Sequence, residues 1–328
     1  MKRISIIVPV YNAEKYLPEM SASLLSQDWD NLQIIFSEDG STDASPALLQ
    51  AMAADPRVTI VSGKPLGVSA ARNRALAVAD GDYIGFCDAD DILAPGYLRR
   101  LAENLETYGA DVSCCGFSRR YVASGVSDRL PVNETGITSC DRAGFFEKLL
   151  DPAGYALVIW NKLFRREALL DEKGAMLRFD ETLTICEDGE FIFRSRVKKA
   201  VFTPEPLYYY MVRSSGAMYA PVSERRLTEL SARKKIAEHC EDCPEEIRSL
   251  ARMKYQKGVR DLMFHAVLDG KRSLVVPYFP ELKTWKKELF SSPALSRKEK
   301  IKYRVYVPII RLNLRRTGTF LMKKLGGH

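Results

Sequence analysis

Three carboxylates, Asp88, Asp90 and Asp91, fall within four residues directly after the apolar run Tyr83–Cys87. Carboxylates packed this closely repel one another unless a cation sits among them. Their hard oxygens suit Mg²⁺ or Mn²⁺, which commonly takes one or two carboxylates plus substrate phosphates. A solvated acidic turn capping the next helix is the alternative. A second cluster, Glu38-Asp39-Gly40-Ser41-Thr42-Asp43, follows the apolar run Leu32–Phe36. Asp39 there can accept a base N–H and so discriminate uracil, while a turn with a helix cap uses the same residue types. A third cluster, Pro9-Val10-Tyr11-Asn12, closes the run Ile4–Val10.

Cations and further acids follow. Gly67 to Arg74 opens a helix after a turn, and Arg72, one turn in, can meet a diphosphate through charge-assisted bonds; Lys64 and Arg74 can do the same work. Ile185-Cys186-Glu187-Asp188-Gly189-Glu190-Phe191 sets acids beside apolar residues, where a raised pKa suits base work. An acid stabilised by a helix dipole reads the same way. Trp160-Asn161-Lys162-Leu163-Phe164 is a mixed aromatic and polar segment, equally readable as a packed edge strand. The three histidines, His239, His265 and His328, stand outside every cluster, which argues against a histidine triad or zinc site.

The elements that must position these residues follow from periodicity. Strands are expected at Ile4–Val10, Leu32–Phe36, Val58–Val61, Tyr83–Cys87 and Val112–Phe117. Helices are expected at Glu14–Ser26, at Asp43–Ala53 with Ser41 or Thr42 as cap, at Val68–Ala79, and from Pro95 to Tyr108. Alternation of this kind means βαβ units and a largely parallel sheet. Ligands in such a sheet bind outside the carboxyl ends of the strands, so one rule brings all three polar clusters to one rim. Residues 120 to 220 are less regular, with segments at Val158–Phe164, Phe179–Arg194 and Ala200–Val212; Arg, Lys, Glu and Leu-rich helices follow from 223 to 270.

Taken together, Ser5 to Asn12, Glu38 to Asp43, Gly67 to Asn73, Asp82 to Asp91, Trp160 to Phe164 and Glu187-Asp188 resemble the family-2 glycosyltransferases of the GT-A fold. The similarity is greatest to the bacterial branch that builds capsule, exopolysaccharide or lipopolysaccharide. The resemblance implies a Rossmann-like, mixed and mostly parallel sheet flanked by helices, with a C-terminal helical extension. It divides the chain into a GT-A domain at 1–220, a helical extension at 221–290 and a basic amphipathic tail at 291–328.

It also implies an inverting, metal-dependent transfer from a UDP-sugar to a hydroxyl of a lipid-linked glycan acceptor. Carried onto this sequence, Tyr11 and Asp39 hold the uracil, with Pro9 and Val10 lining the pocket and Glu38 beside it. Arg72 approaches base or diphosphate, and Asp88 lies near the ribose. Asp90 binds Mn²⁺ or Mg²⁺ in the DXD motif, and Asp91 supports it. Asp188 is the general base, and Trp160, Asn161, Lys162 and Glu187 contact sugar or acceptor. Glu38 stands where the family more often has Asp. There is no Gln-x-x-Arg-Trp segment, so the expectation is non-processive addition. The competing functions are a sugar nucleotidyltransferase, which would carry a Gly-rich basic loop where Tyr11-Asn12-Ala13-Glu14 stands, and a non-catalytic sugar-nucleotide binder, which needs no base.

The 328 residues are 46% hydrophobic and 28% charged, which excludes a disordered, collagenous or disulfide-scaffold chain. The net charge of +7 is uneven. Residues 297–328 hold ten basic residues and one acid, Glu299, whereas the other 296 hold 39 Lys+Arg and 41 Asp+Glu. Ile310, Leu314, Leu321 and Leu325 share a helical face there, with Arg311, Arg315, Arg316 and Lys323 mostly on others, Pro308 near the start and Gly318 in the middle. A basic amphipathic helix fits an anionic membrane surface, while packing on the body is the alternative. No aromatic stacking platform accompanies the charge, so nucleic acid is not expected. No apolar run is long enough to span a bilayer, and Ile4–Val10 is too short for a signal peptide. The expectation is a cytoplasmic protein, peripheral on the inner face of the cytoplasmic membrane. Seven cysteines, with Cys240 and Cys243 as a lone CxxC, read as reduced thiols.

Overall fold

The computed structural model describes residues 1–129, 134–151, 153–213, 222–281, 297–315, 317 and 319. Its contacts divide the chain into two compact units, Met1–Thr182 with Glu187–Ser214, and Leu183–Cys186 with Ser215–His328.

The first unit is built on a ten-stranded sheet with the order β3 (Val58–Ser62), β2 (Leu32–Glu38), β1 (Ile4–Val10), β4 (Tyr83–Phe86), β9 (Lys162–Arg165), β6 (Val112–Tyr121), β10 (Lys199–Val212), β5 (Ile92–Leu93), to which β7 (Ser127–Arg129) and β8 (Thr138–Asp141) add at β6 and β10. β1 is central because it is apolar apart from Ser5, whose hydroxyl donates to Gln33 Oε1 at 2.5 Å. It pairs in parallel with β2 (Leu32–Glu38) and β4 (Tyr83–Phe86), and β2 pairs in parallel with β3 (Val58–Ser62). The helices between them are α1 (Leu17–Leu25), α2 (Ser45–Met52) and α3 (Val68–Leu76). The expected cap for α2 is not used. Ser41 Oγ instead accepts from the Asn12 N–H, and the Thr42 N–H donates to Asn12 Oδ1. These bonds stitch the loop after β1 to the loop after β2, and Ala44 is left as a cap without a side-chain bond.

The other half of the sheet is mixed. α4 (Tyr97–Tyr108) leads to β6 (Val112–Tyr121), but β9 (Lys162–Arg165) inserts antiparallel between β4 and β6. β10 (Lys199–Val212) runs parallel to β6 with a bulge between Thr203 and Tyr208, and antiparallel to the short β5 (Ile92–Leu93). β7 (Ser127–Arg129), β8 (Thr138–Asp141), α5 (Arg142–Leu150) and α6 (Glu187–Arg194) complete the unit. One apolar cluster runs from Ile4, Ile6, Val8 and Val10 through Leu17, Met20 and Leu24 to Tyr97, Leu101 and Tyr208. Burying such side chains stabilises by roughly 1.5–3 kcal/mol each.

The second unit contains α7 (Glu224–His239), α8 (Glu245–Leu268), a 3₁₀ segment at Arg272–Tyr278 and α9 (Arg297–Leu312). Val259, Met263, Phe264 and Val267 of α8 share one cluster with Tyr306, Val307, Ile309 and Ile310 of α9. Tyr306, Val307, Ile309 and Ile310 therefore belong to the core of this unit. Ile310, the first residue of the amphipathic face, is fully buried. Leu314, by contrast, is exposed. Leu321, Leu325, Arg316, Lys323 and Gly318 lie outside the described residues. None of the seven cysteines forms a disulfide.

Candidate active site

The parallel register sets the rim. Val10 pairs with Glu38, and Ile7 pairs with Phe86, so the loops after β1, β2 and β4 leave the sheet side by side. Tyr11 stands out at 57% exposure beside buried Val10 and half-buried Pro9. Asn12 adopts a left-handed φ of 49° that turns the chain there. Glu38 and Asp39 are buried, and each folds its own neighbourhood. Glu38 accepts from the Ser41 N–H. Asp39 Oδ2 accepts from the Gly67 N–H at 2.7 Å, and its Oδ1 accepts from the Leu66 N–H at 3.3 Å and Arg74 Nη2 at 2.6 Å. By count, one acceptor position remains on Oδ2. Gly67 sits at φ 96°, a conformation that L side chains rarely adopt, and this lets the backbone meet Asp39 and then enter α3.

Arg72 corrects one expectation. Its place one turn into α3 suggested contact with a diphosphate, yet its side chain is only 3% exposed. Nη1 donates to Asp188 Oδ1 at 2.7 Å and Glu187 Oε1 at 3.0 Å, and Nη2 donates to Asp88 Oδ1 at 3.1 Å. The guanidinium also lies 5.3 Å from the centre of the Phe179 ring. One cation thus gathers the acid after β4 and the two that open α6. Arg is the residue for this task, because its planar fork serves several carboxylates at once and stays charged when buried.

One positive charge against three acids leaves the cluster short of cations, and proton affinity reflects that. Burial, together with the nearby Asp188 and Asp90 charges, pushes Asp88 up to about 6 despite the counter-pull of Arg72. Burial and the Asp188 charge push Glu187 up to about 7. Asp188 Oδ2 also accepts from the Ile159 N–H at 3.1 Å, so both of its oxygens are oriented.

The Asp-rich turn separates into distinct tasks. Asp90 is 43% exposed on its side chain and pairs with Arg213, whose Nη1 donates to Oδ2 at 2.6 Å while Nη2 donates to the Asp90 carbonyl at 2.7 Å. Asp91 is wholly buried. Its Oδ2 accepts from Tyr208 Oη at 2.9 Å and its Oδ1 from the Met211 N–H at 2.8 Å. The Tyr208 hydroxyl in turn accepts from the Asp88 N–H at 3.2 Å. Asp91 is therefore the strut that fastens the turn to β10, where the sequence suggested support for a metal.

Trp160, Asn161 and Lys162, expected from the sequence to contact sugar or acceptor, are all three buried. Trp160 stacks on Tyr208 with ring centres 4.3 Å apart. Asn161 Nδ2 donates to the Cys115 carbonyl at 2.8 Å. Lys162 Nζ donates to the carbonyls of Tyr155 at 3.2 Å, Ala156 at 2.8 Å and Val158 at 2.7 Å, and to Asn161 Oδ1 at 2.8 Å. These groups hold the loop that brings the Ile159 N–H to Asp188. Sequence reasoning missed Arg213 and Tyr208. The one trace of them was position, since they stand at the end of the Ala200–Val212 run.

A divalent ion fits this chemistry in part. The donors at the rim are hard oxygens carrying surplus negative charge, and an Asp90 carboxylate partly open to solvent stands among them. Among the described residues, no three His, Cys, Asp or Glu side chains converge closely enough to enclose an ion. That arrangement suits an ion completed by phosphate oxygens and water.

A mixed sheet whose parallel strands end in an acidic rim defines an α/β fold that binds ligands at its carboxyl edge. Residues 5–172 match the model of Glycosyl transferase family 2, and the chain belongs to that family. It is 32% identical over 213 residues to the uncharacterized glycosyltransferase EpsJ of Bacillus subtilis, covering 63% of this chain and 60% of EpsJ. The chain thus spans about 60% of the length of that relative. S. aureus TarS 1–349 in complex with UDP-GlcNAc superposes with a TM-score of 0.67 at 19% identity, over 94% of this chain and 92% of that one. The mannosyltransferase PcManGT of Pyrobaculum calidifontis, in complex with GDP-Man and Mn²⁺, superposes with a TM-score of 0.55 at 16% identity, over 99% and 88%. The fold is that of the GT-A glycosyltransferases.

Proposed function

We propose that this chain is an inverting, metal-dependent and non-processive glycosyltransferase that moves a sugar from a UDP-sugar to a hydroxyl of a lipid-linked glycan acceptor in surface polysaccharide synthesis. The observation that carries the reading is Asp188, a carboxylate aimed by Arg72 and by the Ile159 N–H into the cluster that also holds Asp88. Family membership and the UDP-GlcNAc complex of TarS support the donor class.

In this reading Tyr11 stacks on the uracil, and Asp39 accepts its N–H with the position left on Oδ2. Pro9 and Val10 wall the pocket, while Glu38 keeps its loop in place. Asp88 lies at the ribose. Asp90, released from Arg213, would hold Mn²⁺ or Mg²⁺, which when bound offsets charge on the leaving diphosphate as a Lewis acid. Asp188 Oδ accepts the proton of the acceptor hydroxyl as that oxygen attacks the anomeric carbon from the face opposite the diphosphate. One displacement with one base and no enzyme nucleophile inverts the configuration. Glu187 beside Asp188 sets the local charge, and Arg72 keeps both acids in register.

Among the described residues no helix is long and apolar enough to cross a membrane. With Ile310 in the core, peripheral attachment at the inner face would fall to exposed Ile301, Arg304, Arg311 and Leu312. Co-sedimentation with anionic vesicles checks that part; binding that persists after Arg304→Glu with Arg311→Glu would reject it.

The function itself is tested by UDP release from a panel of UDP-sugars with Mn²⁺ or Mg²⁺ and a lipid-linked acceptor. Turnover should fall about 10²–10⁴-fold in Asp188→Asn, the span of general-base catalysis. UDP binding should survive that change and weaken in Asp39→Ala. Unchanged turnover in Asp188→Asn would overturn the assignment of the base.

A further inference from the structure

Arg74 is the cation beside Asp39 to which the proposed reaction gives no task. It stands in the last turn of α3. Its Nη2 donates to Asp39 Oδ1 at 2.6 Å and to the Glu38 carbonyl at 3.3 Å. Its Nε is buried without a hydrogen-bond partner, and among the described residues Nη1 has none either. Asp39 is nearly sealed, with its side chain 6% exposed, whereas Arg74 is 23% exposed.

The backbone makes room for this guanidinium. A Cβ at Gly63 would meet Arg74 Cζ and Nε, each at 2.7 Å, and Cδ at 2.9 Å. The Gly63 N–H donates to the Glu38 carbonyl at 3.1 Å, the same oxygen that accepts from Arg74 Nη2. The turn after β3 is thus tied to the end of β2, with the guanidinium lying against its glycine. Asp39 spends its other bonds on the Leu66 and Gly67 N–H groups and keeps one acceptor position on Oδ2. Arg74 keeps a donor, Nη1. An unspent acceptor and an unspent donor therefore stand on two side chains that are bonded to each other.

We propose that Arg74 is a specificity-determining residue for the base of the donor: with Asp39 it reads the ring N–H and the adjoining carbonyl of uracil, and so rejects cytosine. The inference rests on the UDP-sugar reading and deepens it. Uracil presents an N–H flanked by carbonyls. Asp39 Oδ2 accepts from that N–H, and Arg74 Nη1 donates to the carbonyl next to it. Cytosine presents a bare ring nitrogen and an amino group at the same edge. Its lone pair would face the carboxylate and its N–H groups the guanidinium, so both protein groups would go unpaired, and a site built for a hydrogen bond rejects an analogue that cannot make it. Arginine suits this place because it stays charged and carries a donor on each arm of its fork, one for Asp39 and one for the base.

The test is calorimetric titration of the full chain with UDP and, separately, with CDP, in Mn²⁺ and without acceptor. The wild-type protein should bind UDP at least about tenfold more tightly than CDP. Arg74→Met removes the charge and the donors at similar length. It should weaken UDP binding about tenfold, the loss of one charge-assisted bond, and leave CDP binding level, so that the preference collapses. Gly63→Ala keeps every charge and pushes the guanidinium aside. It should cut the preference severalfold while the melting temperature stays near that of the wild type. Equal losses of UDP and CDP affinity in the two variants would mark a structural role and overturn the proposal, as would an unchanged preference for UDP. Either result leaves the UDP-sugar reading standing, because the wild-type protein still binds UDP. A wild-type protein that does not bind UDP at all overturns that reading and the proposal together.

Discussion

Arg72 decides the electrostatics of the candidate active site. A single guanidinium serves Asp88, Glu187 and Asp188, and burial together with the neighbouring acid charges pushes Glu187 up to about 7 and Asp88 to about 6. The sign of the linkage follows. A carboxyl whose folded value lies above its unfolded value keeps a proton in the folded state that the unfolded chain has lost, so stability falls as pH rises through that interval. The metal-free protein should therefore lose thermal stability between about pH 4.5 and 7 through Glu187. Glu187→Gln should flatten that slope, and Mn²⁺ should raise the melting temperature most at the upper end. A melting temperature that climbs across this interval in the metal-free protein, measured by calorimetry, would contradict the assignment. The same scale shows how residue identity misleads. Asp88, Asp90 and Asp91 are chemically alike, yet Asp90 is partly exposed and Asp91 is sealed against Tyr208 and Met211.

Among the elements, the loop between α5 and β9 is the one whose role the sequence concealed. Lys162 is a buried lysine whose ammonium is ringed by four oxygens, three of them carbonyls of residues 155, 156 and 158. Burial lowers its proton affinity, and those carbonyls repay the ammonium. Ala156 takes a left-handed φ of 58° inside this ring, a conformation that needs such outside support. The next residue after the ringed segment, Ile159, donates to Asp188. Lys162 is thus a positioning residue for the candidate base. Lys162→Met should cost about 1–3 kcal/mol, because it leaves buried carbonyls without their donor. In the fraction that folds, kcat should drop while the KM for the donor stays level. A fall in donor affinity with kcat intact would refute this role.

For the whole molecule, the basic C-terminal stretch changes meaning. Periodicity alone gives 297–328 an apolar face and leaves open what that face meets. In the second unit Ile310 and Tyr306 of α9 answer the question for the part described, because they enter the α8 cluster, with Tyr306 stacked on Phe264 at 3.7 Å between ring centres. Ile310→Asp should then destabilise that unit by at least about 3 kcal/mol, since an unpaired charge would replace a buried aliphatic side chain. The check is a denaturant titration. A change within about 0.5 kcal/mol, the range of ordinary surface substitutions, would mean that α9 is not part of the core.

Much of this was written in local pattern. The parallel strands from β1 to β4, the helices between them and the convergence of the loops after β1, β2 and β4 follow from apolar periods and turn residues, which are short-range properties. Glu187-Asp188 was legible as a candidate base because acids beside apolar residues mark a strained environment. Other features depended on partners far away in sequence. That β9 inserts antiparallel, that Arg72 turns inward to acids more than 100 residues distant, that Asp91 and Lys162 are struts and that Arg213 reaches Asp90 are set by which side chains burial brings together. Burial and long-range ion pairing have no signature in a single stretch of chain. The sequence by itself determined the parallel strands, the acids and where they leave the sheet; only the tertiary structure decided which of those acids are buried against the fold's own donors and which stay partly open to solvent, because burial depends on residues far apart in the chain.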